Sequence, residues 1–382
     1  MSCIAGIINS KKKINIFNQL NIQKDHDKSN IYFSDSALMI QDADKPNTAE
    51  AYFERNGIVI IYDGTIYNYD ELYAGLILKN HSLSRNSFAE LIYCSYLEYG
   101  IDCFSNFDGT FTAAIWNSNN RKLVIARDKF GIEPLFYSII DDEFIFASDI
   151  KTLFLHPYIR PEIDSDSIAE LLLVGPGRTP GYAIFKNITE LKAAHVAVFS
   201  EDDFSLKQYW KLKAKPHEDS FNDTKEHIRY LIAKSIERQT ETDGTICTFL
   251  SGGLDSSIVT AMSGVKNTFS VDYEDNDKFF SANQFQPERD TEYINIMKNF
   301  LGTNHTTILL TPKELIESLY LSVEARDLPG MADVDGSMLL LCKEAKKHAK
   351  VALTGECADE FFGGYPWYRN ENLRNTDRKS VV

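Results

Sequence analysis

Residues 249–257 read Phe-Leu-Ser-Gly-Gly-Leu-Asp-Ser-Ser, a turn rich in glycine, hydroxyls and one acid. The short apolar run GTICTFL, Gly244 to Leu250, leads straight into it, and a helical pattern leaves it. A strand end followed by a helix N-terminus points several backbone N–H groups at one place, which makes a cradle for an anion. No lysine stands where the G-x-x-x-x-G-K-[ST] phosphate loop requires one. Ser251, Ser256 and Ser257 can donate to phosphate oxygens, whereas Asp255 repels them unless a cation lies between. That combination suggests Mg²⁺-pyrophosphate. A second acidic turn, TGECADEFFGGYPWY, follows another apolar run near Leu353 and can supply a further Mg²⁺ carboxylate, Asp359, and an active-site Glu356.

The amino terminus, MSCIAGIINS, raises a different chemistry. A processed N-terminal residue carries its own base, the free α-amine. Removal of Met1 exposes Ser2, whose hydroxyl is far less ionised than a thiol at neutral pH, and Cys3 stands one place too far along. Cys3 is read instead as a small buried residue on the first strand.

These groups need elements to position them. Up to about Trp210 the chain reads as strands broken by turns. GIVIIYDGTIYNY places β-branched and aromatic residues either side of Asp63-Gly64, a hairpin dipeptide. GTFTAAIWNSNNRKLVIARD turns at Asn117 to Asn120, and DEFIFASD and HVAVFSEDDFSLKQYW continue the strand pattern. Helical stretches interrupt at Ser87 to Glu98 and Ser165 to Leu173. This is the grammar of an antiparallel, layered α+β domain. From Phe221 strand and helix alternate: TKEHIRYLIAKSIERQT, GTICTFL, SGGLDSSIVTAMSG, NTFSVDY, DTEYINIMKNFLG and KVALTGECADEFFGG. That predicts an α/β domain on a parallel sheet, with the polar residues 211–220 as linker.

Composition bounds the function. Of 382 residues, 43% are hydrophobic and 25% charged, ordinary values for a soluble globular chain. A net charge of −15 argues against nucleic acid as partner. The cysteines, Cys3, Cys94, Cys103, Cys247, Cys342 and Cys357, form neither a zinc pattern nor a disulfide framework, which fits reduced thiols in a cytoplasm. The apolar run Ile4 to Ile8 precedes Lys11 to Lys13, the reverse of a signal peptide, and no stretch approaches the ~20 apolar residues that cross a bilayer.

The segments YDGTIYNYDEL, ARDKFGIEPLFY, FASDIKTLF, PGRTPGYAIFKNITEL, YWKL, LSGGLDSS, DLPGMADVD and TGECADEFFGGYPWY, spread over the whole chain, resemble the glutamine-hydrolysing asparagine synthetase family. The resemblance implies a class II glutamine amidotransferase domain of the Ntn type over 1–210, a linker over 211–220, and an ATP-pyrophosphatase (PP-loop, adenine nucleotide α-hydrolase-like) synthetase domain over 221–382. It implies that Ser251, Gly252, Gly253, Leu254, Asp255, Ser256 and Ser257 hold the ATP phosphates. Leu250, Val271, Thr354 and Gly355 then line the adenosine site, with Asp255 and Asp359 on Mg²⁺. Aspartate is activated as an acyl-adenylate and attacked by ammonia, which Glu356 orients or deprotonates. The resemblance also allows a homodimer.

Several positions depart from the family pattern. Ser2 stands in place of the N-terminal cysteine, Asp63 in the oxyanion segment, Ala37 for an arginine and Phe88 for an aspartate of the glutamine pocket, and the Arg-Gly-Pro-Asp loop is missing from KDHDKSNIYF. Five such changes predict a glutaminase site that no longer hydrolyses glutamine. The family's synthetase domain continues well past Tyr368 and includes a lysine that steadies adenylation, so the chain reads as a C-terminally truncated member. The rival readings are a related amide-forming cyclase, of the β-lactam synthetase or lasso-peptide type, and a non-catalytic fragment that binds nucleotide at most.

Overall fold

The structure, a computed structural model, describes residues 3–9, 29–33, 37–41, 51–175, 177–201, 203–241, 244–282, 288–365, 368 and 371. The chain divides into two compact units, Met1–Lys215 and Pro216–Val382. No helix among the described residues is long and apolar enough to cross a membrane.

The first unit runs β1 (Cys3–Asn9), β2 (Ser29–Phe33), β3 (Ala37–Gln41), β4 (Tyr52–Arg55), β5 (Ile58–Ile66), α1 (Tyr69–Leu78), α2 (Phe88–Tyr99) and a 3₁₀ turn (Gly100–Asn106). It continues through β6 (Gly109–Asn117), β7 (Lys122–Arg127), β8 (Phe136–Ile140), β9 (Glu143–Ala147), α3 (Ile150–Leu153), α4 (Ser165–Leu173), β10 (Thr189–Glu190), β11 (His195–Phe199) and β12 (Phe204–Gln208). Among the described residues the strands form two six-stranded sheets, β10-β8-β9-β1-β3-β2 and β12-β11-β7-β6-β5-β4, with β-neighbours antiparallel. Side-chain alternation explains how they stack. On β5, Val59 and Ile61 pack with Ile4 and Ile8 of β1 and Phe144 of β9, joining the sheets face to face. Ile58, Ile60 and Tyr62 point the other way, onto Leu91 and Ile92 of α2. Ala5 and Ile7 of β1 turn outward onto Ile150 and Leu153 of α3. A strand buried on both faces reads as a continuous apolar run, and the result is helix, sheet, sheet, helix in layers.

The turn expected at Asp63-Gly64 is not there. Both residues lie inside β5, which pairs with β6 without a break from Ile58↔Asn117 to Ile66↔Gly109. The hairpin turn is Asn56-Gly57, with φ of 54° and 75° between the paired residues Arg55 and Ile58. Two residues of positive φ match the twist of the flanking strands. Gly64 serves close approach instead: a Cβ there would lie 2.1 Å from the Thr110 carbonyl oxygen, and one on Gly109 2.1 Å from that of Thr65. The strand also ends earlier than its aromatic run, because Tyr69 begins α1.

The second unit runs α5 (Phe221–Thr240), β13 (Ile246–Phe249), α6 (Leu254–Ser263), β14 (Asn267–Tyr273), α7 (Asn276–Phe279), α8 (Asp290–Leu301), β15 (Asn304–Leu310), α9 (Pro312–Arg326), α10 (Ala332–Ala345), β16 (Val351–Leu353) and α11 (Ala358–Phe362). Its sheet is parallel, in the order β15-β14-β13-β16. The chain steps from β13 outward to β14 and β15, then returns to place β16 on the far side of β13. Strand order therefore reverses between β13 and β16, and ligands of open α/β sheets bind in the crevice outside the carboxyl ends at such a point.

Candidate active site at the carboxyl ends of β13 and β16

Two loops leave the sheet at this switch point. The first, Leu250 to Gly253, is tied to the sheet by the Leu250 N–H, which donates to the Phe269 carbonyl at 2.9 Å. Ser251 and Ser256 hold the loop to the helix it enters: their hydroxyls lie 2.9 Å apart, and the Ser251 N–H donates to the Ser256 hydroxyl at 3.2 Å. The Ser256 hydroxyl reaches the Gly253 carbonyl at 3.2 Å. Gly253 caps α6 with no side-chain hydrogen bond, so no capping side chain competes for the N–H groups of the first turn. Gly252 has φ +82°, and a Cβ on it would lie 2.7 Å from the Cβ of Tyr293 on α8. Only glycine satisfies both the turn and the neighbour.

The second loop, Thr354 to Cys357, lies directly on the first. A Cβ on Gly355 would be 2.7 Å from the Ser256 nitrogen and 3.0 Å from the Asp255 Cβ. The two acids are thereby brought near each other. Burial pushes the Asp255 carboxyl above its usual range, and the charge of Asp359 pushes it further. Gly364 packs on the Asp359 side chain, which occupies the place a Cβ would need, and its N–H donates to the Asp359 carbonyl at 3.0 Å.

Around these loops lies a cavity of about 530 Å³. Of the residues singled out in the sequence, Leu250, Ser251, Gly253, Asp255, Ser256, Val271, Thr354, Gly355, Glu356 and Asp359 line it. Gly252 is taken up by the α8 contact, Leu254 is 74% exposed, and Ser257 is buried with its N–H on the Gly253 carbonyl. Sequence reasoning missed a whole wall. Val334, Ser337, Met338 and Leu341 of α10 line the cavity, together with Tyr273, Asp290 and Ile294. Their i, i+3, i+4, i+7 spacing was the available signal.

No group of three or more His, Cys, Asp or Glu side chains among the described residues forms a metal cage. Two carboxylates on one cavity still suit Mg²⁺, which takes one or two from protein and the rest from phosphate and water.

In the first unit, Ser2 lies outside the described residues, and Ala37 opens β3. Asp63 follows Val59 and Ile61 on the inner face of β5, directly opposite Thr112. Phe88 instead packs on the outer face, its ring 5.7 Å from that of Tyr62 and edge-on to Tyr69 at 5.1 Å. Glu133, absent from the expected set, carries a carboxyl pushed up to about 7 by burial first and then by Asp63 and Asp128, with Arg127 opposing.

The glutamine amidotransferase domain family matches residues 1–210, and the asparagine synthase family matches residues 227–381. The chain is 41% identical to asparagine synthetase [glutamine-hydrolyzing] 3 of Bacillus subtilis over 325 residues, 83% of this chain and 53% of that protein. It is 31% identical to asparagine synthetase [glutamine-hydrolyzing] 2 of the same organism over 372 residues, 89% of this chain and 47% of that protein. Among solved structures, the glutamine phosphoribosylpyrophosphate amidotransferase of B. subtilis with ADP and GMP aligns at a TM-score of 0.36 and 11% identity, covering 80% of this chain and 75% of that one. The chain spans about half the length of the curated relatives it matches. With an amidotransferase domain followed by an asparagine synthase domain, and relatives of that name on both counts, this chain belongs to the glutamine-hydrolysing asparagine synthetase family of enzymes.

Proposed function

We propose that the second unit, taken as residues 221–382 after a linker at 211–220, is the part that activates a carboxylate with ATP. The side-chain carboxyl of aspartate attacks the α-phosphate, pyrophosphate leaves, and ammonia displaces AMP from the acyl-adenylate to give the amide. The supporting observation is the contact of the two loops at the switch point, where Gly355 meets Asp255 and Ser256. The N-terminus of α6, which no side chain caps, and the Ser251 and Ser256 hydroxyls suit the phosphates. Leu250, Val271, Thr354 and Gly355 suit the adenosine, and Glu356, at the cavity edge, suits the incoming amine as orienting group or base. Asp255 and Asp359 would hold Mg²⁺, which when bound neutralises phosphate charge beside two carboxylates. Burial raises the Asp255 carboxyl first and the charge of Asp359 adds to it, and a cation between the two acids would relieve that second contribution.

In the same reading the first unit, residues 1–210, no longer hydrolyses glutamine, and the protein works in the cytoplasm on free ammonia. Ser2 replaces a thiol, and Asp63 places a carboxylate where an oxyanion would develop.

Calorimetry with ATP-Mg²⁺ tests the first half. Asp255→Asn should weaken binding by about tenfold or more, the loss of one charge-assisted ligand. Ser263→Ala should not, because that hydroxyl sits at the far end of α6 on the Thr260 carbonyl. Equal affinity in both variants removes Asp255 from the metal. For the second half, glutamate release from glutamine should not exceed that of a boiled control.

A further inference from the structure

The wall that α10 gives the cavity is held in an unusual way. Its C-terminal half is anchored by apolar packing, through Leu341 and Ala345 against Cys247 and Phe269. Its first two turns have no such anchor among the described side chains. Val334 and Met338 are 47% and 37% exposed, as is the N-cap Met331 at 50%, and the buried positions there are Gly336 and Ser337. Polar and backbone contacts replace the core there. Arg326, in the last turn of α9, pairs with Asp335, whose side chain is 13% exposed. The pair lies across Gly330, where a Cβ would stand 2.1 Å from Asp335 Oδ2 and 2.6 Å from Arg326 Nη1. One residue on, Gly336 meets the Ser318 hydroxyl of α9, 2.5 Å from where its Cβ would be. On the other side, the Tyr273 and Ser337 hydroxyls lie 3.1 Å apart.

We infer that the Arg326–Asp335 pair is a positioning device for the nucleotide cavity: it clamps the first two turns of α10 to α9, so that Val334, Ser337 and Met338 stay in the wall. This rests on the reading of the cavity as an ATP site. Neither side chain of the pair lines the cavity, so its effect on a ligand passes through the helix. Its leverage comes from what surrounds it. An exposed ion pair contributes little to stability, but here it substitutes for the apolar packing that fixes the rest of the same helix. The glycine between the partners fits that role, since a Cβ at position 330 would force the ends of these two side chains to shift.

The test titrates ATP-Mg²⁺ into the 382-residue chain by calorimetry and follows amide hydrogen exchange over residues 331–338. Arg326→Met should weaken ATP-Mg²⁺ binding by about fivefold, the upper range for a pair of this exposure, and speed exchange in those amides. Gly330→Ala, which attacks the clamp sterically, should act in the same direction. Arg326→Lys keeps the charge and should stay within about twofold of wild type. A purely structural role would lower the melting temperature without this ordering of affinities. If Arg326→Met and Gly330→Ala bind ATP-Mg²⁺ as tightly as wild type, the inference is overturned, whatever the exchange rates. If the wild-type chain binds no ATP-Mg²⁺, the nucleotide reading falls and takes the clamp with it.

Discussion

Arg127 and Asp128 show how buried charges can belong to the scaffold instead of the chemistry. Arg127 donates to the carbonyls of Gly131, Glu133 and Leu191 at 2.7 Å each and pairs with Glu190 at 3.0 Å. Asp128, fully buried, accepts from the N–H groups of Phe130, Ile132 and Glu133 at 2.9, 3.1 and 3.0 Å. Together they lock the turn that carries Glu133. Asp128→Ala strands those donors and should cost at least about 3 kcal/mol in urea unfolding. Glu133 makes a pH prediction. Burial pushes its folded carboxyl up to about 7 from an ordinary 4.5, so the folded chain holds an extra proton between those values. Stability from this group is therefore present at the acid end and falls as pH rises through the window. Glu133→Gln removes that slope, and its melting advantage over wild type should grow from about pH 5 to pH 7 and then level off. A constant difference across the series would mean that Glu133 titrates normally.

Among the elements, α9 is inside out. Its buried positions are Ser318 and Ser322, while Ile316 is 69% and Tyr320 78% exposed. Small inward residues let α10 approach closely, and the apolar stripe is left facing outward. Such a stripe favours association. The double variant Ile316→Ser, Tyr320→Ser should reduce self-association in sedimentation without lowering the melting temperature. The same inversion explains why the inward face of α9 was not legible from the sequence. Pattern reading looks for an apolar face turned inward, and on α9 that face is serine. The β13 loop was legible as a turn because its geometry needs fixed residue types at fixed spacing: Gly252 for a positive φ against α8, and Ser251 and Ser256 to tie the loop to the helix. Asp63-Gly64 was misread because a dipeptide does not reveal whether glycine provides a turn or a close approach; Asn56-Gly57, a stronger hairpin signal, stood seven residues earlier.

For the whole molecule, the two units differ sharply in how much they bury. Among the described residues, the first holds three apolar clusters, with Trp116, Phe104, Phe107 and Phe111 wholly enclosed, and the second holds one small cluster around Cys247, Phe269 and Leu341. The second unit should therefore unfold first in scanning calorimetry, as a separate transition. ATP-Mg²⁺ should raise that transition alone, by about 2.7 kcal/mol at a hundredfold excess over Kd. A single transition, or a shift of the upper one, would contradict this division. Neither the asymmetry nor the α10 wall could be seen from composition, because both depend on which apolar residues the fold turns inward.

The seating of Gly355 on Asp255 and Ser256 also constrains how such a protein can be recombined. The two loops are about a hundred residues apart in sequence but share one van der Waals surface. A chimaera with its crossover between β13 and β16 would inherit one loop from each parent and ask unrelated backbones to mesh. Viable exchanges should therefore carry both loops from the same parent, and a library screened for folded chimaeras should be depleted of junctions in that interval.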